Sequence, residues 1–166
     1  MCKRKLLFCV AVVVGWLLAG LPAFGAADSV VGAVTAINHD VMCLTIDWTA
    51  DSAAGAVTET TVADASGNTI TVEGWVFMAV SNPGTPSPTD NYDIYVDDAD
   101  GCDVFGAELE DRDQVTTEHT CPKVDNAYPA DGRFVPSYIT FDIENNSVNS
   151  ATGVLKLYFY RYRHMR

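Results

Sequence analysis

Basic residues are scarce in this 166-residue chain: ten Lys and Arg stand against 22 Asp and Glu, a formal net charge of −12. Three of the ten, Lys3, Arg4 and Lys5, cluster at the start, so without them the charge of the remainder falls from −12 to −15. Such a surface repels nucleic-acid phosphates and anionic lipid headgroups, which excludes both as partners of the body of the chain. Histidine is scarce too. His39, His119 and His164 are the whole set, and no CxxC or HxxxH spacing completes a four-ligand zinc site around His119 and Cys121. No Gly-x-Ser-x-Gly elbow and no glycine-rich phosphate loop occurs, so no motif carries a catalytic mechanism and the chain reads as a non-enzyme.

A long apolar run occurs once. Behind Lys3-Arg4-Lys5 comes the uncharged stretch from Leu6 to Leu21, then Pro22 and the small-residue segment Ala23-Phe24-Gly25-Ala26-Ala27. A cationic start, an apolar centre and small residues before a cleavage point make a secretory signal peptide. Residues 1–27 are therefore read as a signal helix and residues 28–166 as one domain, large enough to bury its own core. The expected location is secreted, periplasmic or cell-surface, with no membrane contact after cleavage. An uncleaved anchor is the competing reading, against which Pro22 argues.

After Asp28 no window sustains a 3.6-residue apolar period. β-Branched and aromatic residues recur instead in short blocks between Gly, Asn, Asp, Ser and Pro, which predicts strands near 29–37, 41–48, 57–63, 69–80, 91–96, 102–108, 115–120, 137–144 and 153–162. Ile139, Phe141 and Ile143 alternate with Thr140, Asp142 and Glu144, so one face of that strand meets a core and the other meets water. Turns are expected at Asn38-His39-Asp40, at Ala65-Ser66-Gly67-Asn68 and from Glu144 to Ser147. Prolines 83, 86 and 88 predict a loop over 81–90, and a second irregular stretch is expected over 121–136. The fold class is all-β, an antiparallel two-sheet sandwich, either jelly-roll or immunoglobulin-like.

Three constellations stand out. The acidic run Asp97-Asp98-Ala99-Asp100-Gly101-Cys102-Asp103 places Asp98, Asp100 and Asp103 around a glycine, an arrangement that can gather oxygens for Ca²⁺ but lacks the EF-hand end ligands. Its alternative is a hairpin turn in which Asp98 and Asp100 bond their own backbone and Gly101 supplies a positive φ. Calcium is the one cofactor considered. With Cys2 and Cys9 in the leader, Cys43, Cys102 and Cys121 remain; in an oxidising compartment Cys102 and Cys121 are the expected disulfide pair, and Cys43 is expected to be a buried small apolar side chain. The last strand carries Leu155, Leu157 and Phe159 on one face and Lys156, Tyr158, Tyr160 and Tyr162 on the other, running into Arg161 and Arg163. Tyr158, Tyr160, Tyr162, Arg161 and Arg163 are the expected interaction residues, docking a protein partner or a further copy of the chain.

The block from Thr89 to Gly106, with its Tyr92-Asp93 and Asp98-Ala99-Asp100-Gly101-Cys102-Asp103-Val104 core, resembles a hairpin in small β-proteins among the structural genes of tailed bacteriophages. The likeness covers roughly residues 55–160 and implies a virion-associated structural protein without catalytic residues; the signal peptide departs from that pattern. The expected function is thus an exported, self-associating, non-enzymatic β-sandwich with a structural or interaction role. The alternatives are a phage-type virion structural or decoration protein and a secreted carbohydrate-binding protein with Trp48, Trp75 and Tyr95 as sugar platform.

Overall fold

In a computed structural model, described for residues 26–124, 127–128 and 132–161, the chain is all-β, with nine strands in two antiparallel sheets and no helix among the described residues. The strands are β1 (Ser29–Ala36), β2 (Val41–Thr49), β3 (Val57–Thr61), β4 (Gly74–Pro83), β5 (Asp93–Asp98), β6 (Glu118–Thr120), β7 (Arg133–Val135), β8 (Ile139–Glu144) and β9 (Thr152–Tyr160). The larger sheet runs β1-β2-β9-β4-β6, with β7 also pairing β4, and the smaller runs β3-β8-β5. From β2 to β6 the chain alternates between sheets, with β3 and β5 in the small one and β4 and β6 in the large one; β7 then stays in the large sheet before β8 returns to the small and β9 to the large. The predicted leader lies outside the described residues except for Ala26 and Ala27. Among the described residues no helix is long and apolar enough to cross a membrane.

Period-two alternation produces the core. Met42, Leu44, Ile46 and Trp48 on β2, Leu155, Leu157 and Phe159 on β9, and Val76 and Ala79 on β4 join Ile94 and Val96 on β5 and Ile139, Phe141 and Ile143 on β8 in one buried cluster. Both sheets thus turn a face to the same interior. Where β9 crosses Trp48, its residue is Gly153, and a Cβ there would lie 2.5 Å from the indole. The strand has a glycine because the ring occupies that space.

The expected turns form through short polar side chains. Asn38 accepts the N–H groups of Asp40 and Val41 through Oδ1, and Asp64 Oδ1 accepts those of Ser66 and Asn68. At one end of the molecule the buried Asn146 ties three loops together. Its Oδ1 accepts from Thr89 N–H at 2.8 Å and Val148 N–H at 3.1 Å, while its Nδ2 donates to the carbonyls of Gly55 and Val148.

Three strand expectations need correction. The stretch expected over 102–108 is turns with one bridge, Asp97 to Asp103, because the Asp103 carboxylate takes the N–H groups of Phe105 and Ala107 and so removes them from any ladder. The strand expected from 115 begins only at Glu118, since Asp113 Oδ1 accepts the N–H groups of Val115 and Thr116 at 2.6 Å each. The strand expected over 69–80 runs from Gly74 to Pro83, and β7 emerges inside a stretch read as irregular. Before Gly74, Ile70 and Val72 donate to the carbonyls of Val62 and Ser137.

Candidate functional site

The outward face of the large sheet is unusually aromatic. Strand register sets Val41, Tyr160, Trp75 and Phe134 side by side across β2, β9, β4 and β7, with Cys43, Tyr158 and Met78 forming the adjacent row. Between the rows, where register shifts between Val76 and Met78, Phe77 stacks on Tyr160 at 4.3 Å and tilts against Tyr158 at 6.3 Å. Trp75 and Phe134 meet at 5.3 Å. Tyr160 and Phe134 nonetheless remain 38% and 41% exposed. An antiparallel sheet with one face on the core ordinarily presents a polar face to water, and a contiguous apolar patch on that face marks a contact surface.

Cations border this patch. Lys156 is exposed in the next row, opposite Thr45 and Val80, and exposed Arg161 follows Tyr160 directly, its N–H donating to the Asp40 carbonyl at 2.8 Å. The other described Lys and Arg residues are held in ion pairs, Arg112 with Glu118 at 3.6 Å, Lys123 with Glu108 at 2.9 Å and Arg133 with Asp98 at 3.3 Å. Lys156 and Arg161 are the Lys and Arg outside ion pairs among the described residues. The structure therefore brings together Tyr158, Tyr160 and Arg161 of the expected interaction set; Tyr162 and Arg163 lie outside the described residues.

The outward face of the small sheet has the opposite character. Asp142 and Glu144 on β8 stand opposite Tyr95 and Asp93 on β5, with Asp97 opposite Thr140 one step along. Burial, then Glu144, Asp97 and Glu59, push the Asp142 carboxyl up to about 6. Asp97 is raised by burial first and then by Asp103, Glu59 and Asp98. Tyr95 is pushed up to about 12 by burial and by Glu110, Asp93 and Glu144, and its hydroxyl donates to Glu110 at 3.4 Å. Like charges on neighbouring strands raise one another's pKa, and Arg133, which lowers that of Asp97, offsets this only in part.

The acidic turn is built as a turn. Asp98 Oδ1 accepts the N–H groups of Asp100 and Cys102, its Oδ2 meets Arg133, and Gly101 has a φ of +74° with nothing near its Cβ position. Asp103 caps Phe105 and Ala107, and its carbonyl accepts from Arg133. Asp98 and Asp103 are thus committed to backbone donors, and the Asp98 carboxylate to a guanidinium as well. Among the described residues no group of three or more His, Cys, Asp or Glu side chains is placed to hold a metal ion.

The Cys102–Cys121 disulfide is a correction: both thiols are free and exposed. Their segments are joined by the backbone instead, Lys123 N–H donating to the Phe105 carbonyl at 3.1 Å. Cys43 is buried, as expected, but within the outward row beside Tyr158 rather than in the core between the sheets, with its Sγ 3.8 Å from Thr45 Oγ1. The sugar platform is also corrected. Trp48 is 3% exposed and packs against Tyr92 in the core, Trp75 faces outward on the large sheet, and Tyr95 belongs to the small one.

Sequence reasoning missed Trp75, Phe77, Met78 and Phe134 as members of the surface. Their signal was present in Gly74-Trp75-Val76-Phe77-Met78-Ala79, which is bulky at successive positions as the last strand is. No protein-family model matches the chain, and no curated protein or solved structure shows significant similarity to it.

Proposed function

We propose that this chain is an exported, non-enzymatic β-sandwich of jelly-roll wiring that works by docking a protein on the outward face of its large sheet. The observation that carries the reading is the ring-lined row Tyr160, Trp75 and Phe134, beside the described cations left outside ion pairs. Aromatic bodies with polar tips beside guanidinium groups are the side chains that dominate protein contacts.

The wiring is supported by strand order. Residues 103–112 lie along β5, through the bridges Asp97 to Asp103 and Tyr92 to Arg112 and the bond from Ile94 N–H to the Leu109 carbonyl. Counting that segment as a fourth member, the sheets read β2-β9-β4-β6 and β3-β8-β5 plus 103–112, the double-sheet pattern of a jelly roll with β1 added outside. An immunoglobulin-like chain keeps more successive strands within one sheet. Export rests on the leader residues and is tested by mass: the released product is expected to begin near Asp28, and a cytosolic product retaining Met1 refutes it.

Oxidative footprinting tests the docking. Tyr160, Trp75 and Phe134 should be protected in the protein as its producing cell releases it and become labelled on dilution of the purified chain. Equal labelling in both states removes the reading. A virion-type structural role is the second reading, supported by the hairpin that β5 and the turn to Asp103 form within the resembling block. Both readings assign an assembly role, and gene neighbourhood separates them.

A further inference from the structure

Resting on the docking reading, we infer that the partner of the aromatic and cationic face is the carboxylate-lined outward face of the small sheet on a second copy of this chain, so that copies stack head to tail. Two observations meet in this assignment. Lys156 and Arg161, the Lys and Arg outside ion pairs among the described residues, stand at the aromatic rows of the large sheet. On the small sheet, Asp142 and Glu144 share an outward face with Asp97, and Glu59 lies close enough to raise the pKa of both aspartates.

The two faces differ in charge balance: Lys156 and Arg161 outnumber exposed Asp47 on the large sheet, whereas carboxylates outnumber Arg133 on the small one. Two aromatic faces placed together would oppose Lys156 and Arg161 to their own copies, whereas an aromatic face on an acidic one sets cations against carboxylates that already repel each other. The two faces point away from a shared core, so such a contact uses different patches on the two molecules. A contact of that kind closes into a ring or propagates as a filament.

Charge exchange tests it. One variant carries Lys156→Glu and Arg161→Glu; the other carries Glu59→Lys, Asp142→Lys and Glu144→Lys, which leaves Asp97 as the one acid of that group against three lysines. Sedimentation velocity of the wild type should show mass rising with concentration. Each variant alone presents two faces of one sign and should associate at least roughly tenfold more weakly. Mixing the two restores opposite signs at every contact, so assembly should return in the mixture although neither component assembles alone. Circular dichroism of each variant serves as the folding control.

A wild type that stays monomeric at every concentration overturns the inference, as does a mixture that fails to assemble while both variants are folded. Association that survives Glu59→Lys/Asp142→Lys/Glu144→Lys but is lost in Tyr160→Ser overturns the acidic partner while leaving the aromatic docking face in place. Footprinting protection of Tyr160 in the released protein, combined with a monomeric purified chain, also leaves the docking reading and removes the second copy.

Discussion

Replacing Asp142 with Asn should stabilise the fold at neutral pH. The carboxyl is pushed from an ordinary 3.8 up to about 6, chiefly by burial and then by Glu144, Asp97 and Glu59. The folded state therefore holds this proton more tightly than the unfolded chain does. The stability it contributes is complete below the unfolded value and is lost as pH rises through the folded one. Two pKa units at 1.36 kcal/mol each set an upper figure of about 3 kcal/mol, and partial access to water reduces this to about 1–2 kcal/mol. Asparagine keeps the shape without the charge. Thermal melts should show the variant higher by about 2–8 °C at neutral pH, with the gain vanishing below pH 3.8, where the aspartate is neutral in both states. A variant no more stable than wild type at neutral pH, or one whose advantage persists undiminished in acid, refutes the account of Asp142 as a half-buried carboxyl among like charges.

Three further substitutions probe the interior and the turn. Asn146→Ala leaves the Thr89 N–H and the Gly55 carbonyl without their buried partner, and urea unfolding should register a loss of about 2–3 kcal/mol, against little change for exposed Asn68→Ala. Gly153→Ala drives a methyl into the Trp48 indole, 2.5 Å from its nearest atom, and should cost about 2 kcal/mol with a changed tryptophan emission; an unaltered spectrum would contradict the packing. Asp98→Ala strips two turn N–H groups and Arg133 of their acceptor, so melting should fall by about 1–2 kcal/mol equivalent. Millimolar calcium should leave the wild-type melting temperature unmoved, because the Asp98 and Asp103 carboxylates are already engaged.

The all-β class was legible because alternation is local: Ile139, Phe141 and Ile143 reach the core, and Thr140, Asp142 and Glu144 do not. Strand ends were less legible. Asp103 and Asp113 divert nearby N–H groups to their own carboxylates, a competition that β-branched composition does not reveal. The docking face was half legible. Tyr158 and Tyr160 announced themselves by filling the polar positions of β9, but Phe134 joins them only because β7 pairs with β4 at Trp75, a long-range choice. Trp48 misled for the matching reason: its partner glycine, Gly153, lies far along the chain, and the cavity it leaves draws the indole inward.

The place of β9 governs when this protein can be built. Met42 pairs with Phe159 and Val76 pairs with the same residue from the other side, so the centre of the large sheet stays unfilled until β9 has joined it. Contacts this distant in sequence make for slow closure. Until that strand docks, β2 and β4 each keep one unpaired edge, so the half-built sheet is the state most open to pairing with another chain.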